Sequence, residues 1–379
     1  MAAIKKLGEV CVITMGQSPC SESYNDIGKG MPFFQGCSDF GKLNPHITTY
    51  CDMPKKTADI NDVLISVRAP IGTLNIADIE CCIGRGLASI REIDGITCYK
   101  YLYYFLLKSK KELQEQGIGA TFKAIGKDVL FNFPIVVPPL SEQSRIVEEL
   151  DLLSNIIEKK RQQLSELDNL AQSIFYDMFG DPVTNEKGWE VKTIGDIVLS
   201  VNYGTSSPAS EDGKYKYLRM NNLTYSGFLD LKDLKTITIG EKEYEKYVVR
   251  KGDILFNRTN SKDLVGKTAL FDLDEEMIIA GYIIRVRTNS QMVLPIYVVK
   301  HMNTPYIKQY LANLCKGAVN QANINTKELQ KIPICIPPLS LQQLFAQKIE
   351  AIQKQKELIK QSIAETEELF NSRMDYYFN

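Results

Sequence analysis

The sequence has few of the residues that usually build metal centres and disulfide frameworks. It holds only two histidines, His46 and His301, which lie far apart, and its nine cysteines include no CxxC pair. Structural zinc needs paired cysteine or histidine ligands at short spacing, and a disulfide framework needs an even, patterned set of cysteines. We therefore expect no metal site, and we expect the cysteines to be buried or inert thiols.

Long apolar runs are also missing. No stretch near 18 residues is apolar, and no charged-then-apolar leader follows Met1. A transmembrane helix and a secretory signal each need such a run. We expect a folded cytoplasmic protein with no membrane association, and its 379 residues with 44% hydrophobic content can bury more than one core.

Catalytic motifs are absent as well. There is no GxSxG, HExxH or CxxC, no NPPY-like methyltransferase motif and no convincing nuclease set. The segment SKDLVGKT at 261–268 has Ser261 where a phosphate-binding loop needs its first glycine, and a strand pattern follows it instead of a helix. Gly84 and Gly86 do not complete GxGxxG. The chain is therefore not expected to be an enzyme.

What the sequence does contain is a tandem repeat. Four motifs occur twice in the same order: KKLGEV at 5–10 and VKTIGDI at 191–197, MGQSP at 15–19 and YGTSSP at 203–208, NDVLISVR at 61–68 and GDILFNRT at 252–259, and FPIVVPPLSEQ at 133–143 and IPICIPPLSLQ at 332–342. The match is strongest at the edges of each copy and poorest inside it. This pattern indicates a shared scaffold around different recognition surfaces.

Each copy combines a globular segment with a long helix. Short β-branched and aromatic runs predict strands, and apolar spacing predicts helices at 101–116 and 296–315. After each PPLS the spacing changes to 3.5 residues, with Ser141 and Ser340 expected as N-caps. We predict an α+β protein with mixed α/β domains at 1–140 and 181–339 and helices at 141–180 and 340–379.

The two long helices are predicted to pair through apolar residues spaced alternately by three and four. In the first helix these are Ile146, Leu150, Leu153, Ile157, Leu164, Leu167, Ala171, Ile174 and Met178, and in the second they are Phe345, Ile349, Ile352, Ile359, Ile363 and Phe370. A helix of about 39 residues is about 58 Å long, and the second copy starts at its far end. The second helix can then pack by running back, which predicts an antiparallel coiled coil with a pseudo-two-fold repeat. An ordinary amphipathic helix on a globular core is the alternative.

Net charge is only -1, but the charge is unevenly distributed. The predicted globular segments carry +1 and +3, whereas the predicted helices carry −4 and −1. Binding to nucleic acid is driven by neutralisation of phosphates, so this distribution permits DNA binding without demonstrating it.

Together these motifs resemble the specificity subunit of a type I restriction-modification system. The resemblance rests on the LGEV and IGDI starts, Trp189–Glu190, GDILFNRT, the doubled PPLSxQ and the heptad helices, and it covers essentially the whole chain. The first copy adds GQSP at 16–19, PFFQG at 32–36, DVLISVRAPIGT at 62–73 and CIGRGLASIR at 82–91. The order and the duplication of the motifs make the resemblance specific.

The resemblance implies that each globular copy is a target recognition domain for one half of a bipartite site in double-stranded DNA. The helices would set the spacer between the halves. Two modification subunits would use S-adenosylmethionine to methylate adenine, and restriction subunits would use ATP and Mg for translocation and cleavage. The chain itself would be non-catalytic and would hold no cofactor.

The predicted helix pairing departs from a purely apolar pattern at three positions. Lys356 and Thr366 lie opposite apolar positions of the first helix, and Lys160 stands where the second helix has Ile359. These differences are complementary and could discourage pairing of like helices. Equal helix association after exchanging Lys160 and Ile359 would count against this hypothesis.

Candidate DNA contacts are Arg, Lys, Asn and Gln residues in predicted loops, because these side chains recognise base edges and phosphates. In the first copy they are Gln17, Ser18, Gln35, Arg68, Arg85 and Lys123, and in the second they are Arg219, Asn221, Asn222, Arg258, Asn260, Lys262, Asn320, Gln321 and Asn323. Asn is also common in turns for conformational reasons, so each position has a structural alternative. Changing Gln321 and Asn323 together is expected to alter the methylated sequence.

Two other classes of function compete with DNA recognition. A coiled-coil adaptor with two ligand-binding domains would show no salt-dependent DNA binding. A methyltransferase or nuclease acting alone would show activity as an isolated chain.

Overall fold

The computed structural model describes residues 3–119, 123–261, 264–315 and 322–379. The chain divides into two compact units, one comprising Met1–Lys160 with Gln361–Asn379 and the other comprising Arg161–Lys360. Each unit therefore contains one globular copy of the repeat together with part of each long helix.

The first copy is a mixed α/β domain. Its strands are Ala3–Lys6 (β1), Cys11–Met15 (β2), Tyr24–Asn25 (β3), Met31–Phe34 (β4), Tyr50–Cys51 (β5), Thr57–Ala58 (β6), Val63–Ser66 (β7), Leu74–Ile76 (β8), Cys81–Ile83 (β9), Leu87–Glu92 (β10) and Pro134–Val137 (β11). Its helices are Leu7–Val10 (α1), Tyr99–Lys108 (α2), Lys110–Glu115 (α3) and Lys127–Asn132 (α4), and Leu140–Phe179 (α5) follows. A four-stranded antiparallel sheet has the order β2-β10-β7-β8, a five-stranded sheet has the order β3-β5-β4-β9-β6, and β1 pairs with β11.

The second copy is also a mixed α/β domain. Its strands are Glu190–Thr193 (β12), Val198–Tyr203 (β13), Tyr215–Leu218 (β14), Lys235–Ile237 (β15), Val248–Val249 (β16), Ile254–Asn257 (β17), Thr259–Asn260 (β18), Thr268–Leu270 (β19), Met277–Ile279 (β20), Ile283–Thr288 (β21), Ala322–Asn323 (β22) and Pro333–Ile336 (β23). Its helices are Ile194–Ile197 (α6), Glu241–Tyr247 (α7), Pro295–Met302 (α8), Pro305–Leu314 (α9) and Thr326–Gln330 (α10), and Leu339–Phe378 (α11) follows.

The second copy repeats the sheet topology of the first. Its four-stranded antiparallel sheet has the order β13-β21-β17-β19, which matches β2-β10-β7-β8 strand for strand. Strands β14 and β20 are parallel neighbours, as are β4 and β9, and β12 pairs with β23 as β1 pairs with β11. The duplication predicted from the sequence motifs is therefore present in the fold.

The Asp of each NDVL or GDIL motif is buried and forms an ion pair with a partly exposed arginine inside its copy. Arg91 donates to Asp62 through Nε and Nη2 at 2.8 and 3.0 Å, and Asp62 is fully buried. Arg287 donates to Asp253 in the same way at 2.8 and 3.2 Å. A two-point Arg–carboxylate pair fixes the geometry of both partners. This motif therefore serves the scaffold.

The Gln of each PPLSxQ motif fastens the start of a long helix to its globular copy. Gln143 accepts a hydrogen bond from the Cys98 N–H at 3.0 Å and donates to the carbonyls of Ile96 and Pro138 at 2.8 and 2.9 Å. Gln342 repeats the arrangement, with the Leu294 N–H at 2.8 Å as donor. Both side chains are completely buried. The amide thus satisfies main-chain groups that burial would otherwise leave unpaired.

Two local expectations from the sequence are wrong. The long helices begin at Leu140 and Leu339, so Ser141 and Ser340 lie inside the first turn and are not N-caps. The single helices expected at 101–116 and 296–315 are each divided in two. In the second copy Thr304 caps the new helix and Pro305 occupies its first turn, where proline is tolerated.

The two long helices contact each other within each unit. In the first unit Arg373 pairs with Glu149 at 2.7 Å, and Lys160 Nζ donates to Ser362 Oγ at 2.8 Å. In the second unit Phe175 packs on Phe345 with ring centroids 5.8 Å apart. Within each unit, increasing residue numbers on one helix meet decreasing numbers on the other.

The residues predicted to pair the helices face the protein interior. Those that are buried are Ile146, Leu150, Leu153, Ile157, Leu167, Ala171, Phe345, Ile349 and Ile352, and those that are partly buried are Leu164, Ile174, Met178, Ile359, Ile363 and Phe370. Phe175, Phe179 and Met374 are also buried, although the heptad spacing did not include them. Near the start of α5 the seam joins the globular core, because Ile146 and Leu150 belong to the same apolar cluster as β2, β7 and β10.

Among the described residues, no helix combines the length and the apolarity that crossing a membrane requires.

Candidate nucleic-acid interface

In the first copy, loops from separate parts of the chain surround one cleft of about 430 Å³. Its lining consists of Ser18, Tyr24, Gln35, Gly36, Cys37, Ser38, Ser66, Arg68, Ala69, Arg85 and Gly86. Four of the predicted DNA contacts, Ser18, Gln35, Arg68 and Arg85, are thus brought together. The sequence did not predict that these four residues would meet, because they are far apart in the chain and their proximity depends on how the two sheets join.

Main-chain hydrogen bonds hold the cleft loops in place. The Gln17 N–H donates to the Ile83 carbonyl at 3.0 Å, and the Gly84 N–H donates to the Phe34 carbonyl at 2.8 Å. A Cβ atom on Gly16 would lie 2.1 Å from the Gly84 carbonyl oxygen, so the close approach of these loops requires glycine. The glycines of GQSP and GRG therefore allow the close approach of loops that forms the cleft.

The polar side chains around the cleft are available to a ligand. Gln17, Gln35, Arg68 and Arg85 are exposed, and among the described residues no carboxylate lies at ion-pair distance from either arginine. Ser18 is partly buried, and its Oγ accepts the Arg85 N–H at 3.3 Å. Two unneutralised guanidinium groups beside an amide suit an anionic partner that also offers acceptors.

Lys123 lies at the edge of this cleft. Its carbonyl accepts the Ala69 N–H at 3.2 Å, which places it beside the loop that carries Arg68. The Lys123 side chain is exposed. The position suits a phosphate contact near the base-recognising groups.

The second copy fixes its loops with the same main-chain hydrogen bonds. The Thr205 N–H donates to the Ile279 carbonyl at 2.9 Å, as Gln17 does to Ile83. The Ala280 N–H donates to the Leu218 carbonyl at 2.9 Å, as Gly84 does to Phe34. These bonds make Gly204 equivalent to Gly16 and Arg219 equivalent to Gln35.

Two of the predicted contacts in the second copy are already engaged by other groups of the protein. Asn222 is buried, accepts the Arg219 N–H at 2.9 Å and donates to the Asp230 carbonyl at 2.8 Å. Arg219 forms an ion pair with Asp233 at 2.7 Å. Asn221 between them is exposed. Asn222 therefore repeats the role of Asp39, whose carboxylate accepts the Gln35 N–H at 2.6 Å.

Arg258, Asn260 and Asn323 lie together in the second copy. Strand β18 pairs with β22, so Asn260 faces Ala322 and Thr259 faces Asn323. Thr259 Oγ1 donates to Asn323 Oδ1 at 3.3 Å, and Asn323 is exposed. The predicted contacts Lys262, Asn320 and Gln321 lie outside the described residues. Of the segment that carries Asn320, Gln321 and Asn323, the structure therefore describes only the part from residue 322 onward.

Sequence reasoning missed an aromatic residue near the predicted contacts of each copy. Tyr24 lines the first cleft, and Tyr203 lies over the guanidinium of Arg258 with 4.8 Å from Cζ to the ring centroid. Tyr203 stands directly before Gly204, where the first copy has Met15. Alignment of the two repeat copies could therefore have singled it out.

Two further features of the described residues concern metal binding and thiol reactivity. Among them, no three His, Cys, Asp or Glu side chains are grouped so that they could hold a metal ion. Burial raises the pKa of Cys11 to about 12 and contributes most to the same rise at Cys81. Both thiols are therefore protonated near neutral pH and poor nucleophiles.

Comparison with known proteins identifies the family. The sequence profile of the type I restriction modification DNA specificity domain matches residues 2–169 and again residues 186–368. The chain belongs to this family, with one domain match for each copy of the repeat. The resemblance inferred from the motifs is thereby confirmed.

Individual relatives carry the corresponding names. A putative type I restriction enzyme MjaX specificity subunit of Methanocaldococcus jannaschii is 42% identical over 162 residues, which cover 43% of this chain and 38% of that protein. The type I restriction enzyme EcoKI specificity subunit of Escherichia coli is 24% identical over 239 residues, covering 59% of this chain and 51% of that protein. The matches thus span about half or less of these two relatives.

A solved structure shares the fold. The S subunit of a type I restriction-modification system from M. genitalium matches with a TM-score of 0.60, 13% identity, and coverage of 100% of this chain and 96% of that one. At this identity the likeness concerns the fold alone.

Proposed function

We propose that this chain is the DNA specificity subunit of a type I restriction-modification complex and recognises a bipartite site in double-stranded DNA. Residues 1–140 and 181–339 are the two target recognition domains. The observation that carries the proposal is the repeated set of main-chain hydrogen bonds. In the first copy these bonds surround a cleft lined by Gln35, Arg68 and Arg85, and in the second copy the pairing of β18 with β22 places Asn323 opposite Thr259, next to Arg258. One scaffold with two different linings is what two different half-sites require.

The long helices set the spacing between the half-sites. We infer an antiparallel coiled coil with pseudo-two-fold symmetry, supported by the heptad spacing and by the contacts between α5 and α11 within each unit. Lys356 Nζ donates to Asp168 at 2.6 Å, and Lys160 Nζ also donates to Thr366 at 2.8 Å. Lysines matched to polar groups on the other helix favour this pairing over pairing of like helices.

Catalysis belongs to partner subunits in this proposal. Two modification subunits with S-adenosylmethionine methylate adenine, and restriction subunits with ATP and Mg translocate and cleave DNA. The named relatives are specificity subunits of type I restriction enzymes, which supports a place in such an assembly. The chain works inside the cell, where both its DNA and these subunits occur.

A salt series of DNA binding tests the proposal against a coiled-coil adaptor. The chain is assembled with its modification subunits, and the affinity for duplex DNA is measured at several salt concentrations. Contacts to about six phosphates give a slope of about −5 in log K against log salt. An adaptor that binds peptides or sugars gives no such slope, and that result would overturn the proposal.

Mapping of methylated adenines tests sequence specificity. We expect one bipartite motif to be methylated in cells that carry the chain and to be unmodified in cells that lack it. The modification subunits alone are the control. An identical methylation pattern with and without the chain would contradict the proposed role.

A further inference from the structure

We propose that Tyr203 is a positioning residue that holds Arg258 for recognition of guanine in the second half-site. This inference rests on the proposed function and deepens it by naming one base and the residue pair that selects it. The pair lies where the chain leaves strand β13 and strand β17, at the rim of the second copy.

The guanidinium of Arg258 is oriented by an aromatic face. Its Cζ lies 4.8 Å from the centroid of the Tyr203 ring, which is a cation–π distance. Nη1 lies 3.5 Å from the Gly281 carbonyl, and within the described part of the chain no carboxylate is at ion-pair distance. Nε is buried without an acceptor there. Among the described residues, the guanidinium is thus held in place without a carboxylate partner.

The Tyr203 ring is itself fixed at both ends. Its backbone lies in strand β13 opposite Ile284, and its hydroxyl accepts the Thr326 N–H at 3.0 Å. Thr326 is the first residue of α10, which Asn325 caps by accepting the Lys327 N–H at 2.9 Å. The ring therefore has little freedom to move away from the guanidinium.

The backbone of Arg258 is held from two sides as well. Its N–H donates to the Tyr282 carbonyl at 2.9 Å, and its carbonyl accepts the Ile324 N–H at 2.9 Å. Asn323, a predicted DNA contact, lies next to Ile324. A rigid guanidinium fork beside an exposed amide matches the paired acceptors O6 and N7 of guanine in the major groove.

The first copy shows that the scaffold does not need this pair. The Val67 carbonyl accepts the Ile125 N–H at 2.9 Å as the Arg258 carbonyl accepts that of Ile324, so Val67 is the counterpart of Arg258. Met15 is the counterpart of Tyr203 and packs against the same core as Val67. Because an apolar pair serves the fold there, the Tyr–Arg pair has another purpose.

The test compares base preference in four variants of the chain assembled with its modification subunits. The half-sites are first defined by mapping methylated adenines, and every base pair is then substituted in turn in duplexes used for binding. The wild type should prefer one G·C pair in the second half-site by about tenfold or more. Arg258→Lys and Tyr203→Met should reduce this preference severalfold, whereas Tyr203→Phe, which keeps the ring, should largely retain it.

The fourth variant combines Tyr203→Met with Arg258→Val and reproduces the first copy's apolar pair. It should fold, which its melting temperature checks. It should lose the preference for the G·C pair in the second half-site, while all base preferences in the first half-site persist. A preference that survives in this variant or in Arg258→Lys overturns the inference. A wild-type complex without any sequence preference in either half-site overturns the proposed function instead, so the two failures are distinguishable.

Discussion

The first and second copies of the repeat fix their clefts with the same backbone hydrogen bonds and line them with different side chains. The bond from Gln17 to Ile83 reappears between Thr205 and Ile279, while Gln35 is replaced by Arg219. The ion pair between a buried Asp and a partly exposed Arg, and the buried Gln of PPLSxQ, also occur in both copies. A new specificity can therefore arise by changing loop residues, because the groups that hold the fold lie elsewhere.

The two copies also differ in how their arginines are engaged. Arg68 and Arg85 of the first copy are exposed, whereas Arg219 is paired with Asp233 and Arg258 is stacked on Tyr203. A salt bridge to an exposed carboxylate is weak and can exchange for a phosphate. We therefore expect Arg68 and Arg85 to contact an anion without rearrangement, whereas Arg219 has to exchange its contact with Asp233 for one with the anion.

The largest effect is expected from removing the shared Gln. Gln143→Leu or Gln342→Leu leaves buried main-chain groups without partners, which we expect to lower the free energy of unfolding of the affected unit by about 4 kcal/mol. This loss of unfolding free energy is measured by chemical denaturation, with hydrogen exchange used to follow each unit separately. Gln343→Leu is the control, because Gln343 is exposed beside Gln342 and should change stability little. Unequal effects of the two Leu variants would break the equivalence of the copies.

The next largest effect is a pH dependence of the unfolding free energy, which we expect in the second copy because of the buried His301. Burial lowers the pKa of His301 to about 4, and its Nε2 lies 2.9 Å from the Pro333 carbonyl. The unfolded chain takes up the proton near pH 6.5, so the stabilisation is complete above that pH and is lost as the pH falls towards 4, by about 3 kcal/mol. The unfolding free energy of the second unit is measured across this range. His301→Gln keeps a donor but cannot titrate, and an unchanged acid response in this variant would refute the assignment.

The cleft arginines of the first copy should matter for DNA binding and little for stability. Arg68→Ala and Arg85→Ala each remove an exposed charge, and we expect each to weaken binding of the bipartite site by about 2 kcal/mol. Fluorescence anisotropy with a labelled duplex measures the affinity. Lys5→Ala, an exposed change in β1, is the charge-matched control. Equal losses in all three variants would indicate general electrostatics and no specific cleft.

The smallest effect is expected in the helix pair. Lys356 is almost buried and pairs with Asp168, whereas Lys354 pairs with Glu350 in solvent. Asp168 can be hydrated once its partner is removed, so Lys356→Ala should cost about 1 kcal/mol and Lys354→Ala about 0.3 kcal/mol. Thermal unfolding of the full chain measures both. A larger loss in Lys354→Ala would contradict the assigned burial of the pair.

Features of the fold that follow from the spacing of apolar residues or from repeated motifs could be predicted from the sequence. The repeat, the mixed α/β copies and the long helices all follow from local patterns, since apolar spacing determines which face is buried. The break between α8 and α9 could have been predicted from Thr304 and Pro305, because a capping residue followed by proline starts a helix.

The candidate site was harder to predict because side-chain engagement depends on tertiary neighbours. Asn222 and Asn323 are the same residue type in loops, yet one is buried in a turn and the other is exposed on a strand. Arg219 pairs with Asp233 from the following loop, whereas Arg68 is exposed. The neighbouring sequence of the two arginines does not predict this difference. Only the convergence of separate loops decides which polar residues face a ligand.

The central claim is that each copy recognises its own half of the DNA site, and methylation mapping tests it most directly. Adenine methylation is sequenced in cells carrying the wild-type chain, a Gln35→Ala/Arg85→Ala variant, or an Asn323→Ala variant. The first variant should relax only one half of the motif, and the second should relax only the other half. Changes in both halves from either variant, or in neither half from both, would contradict the account.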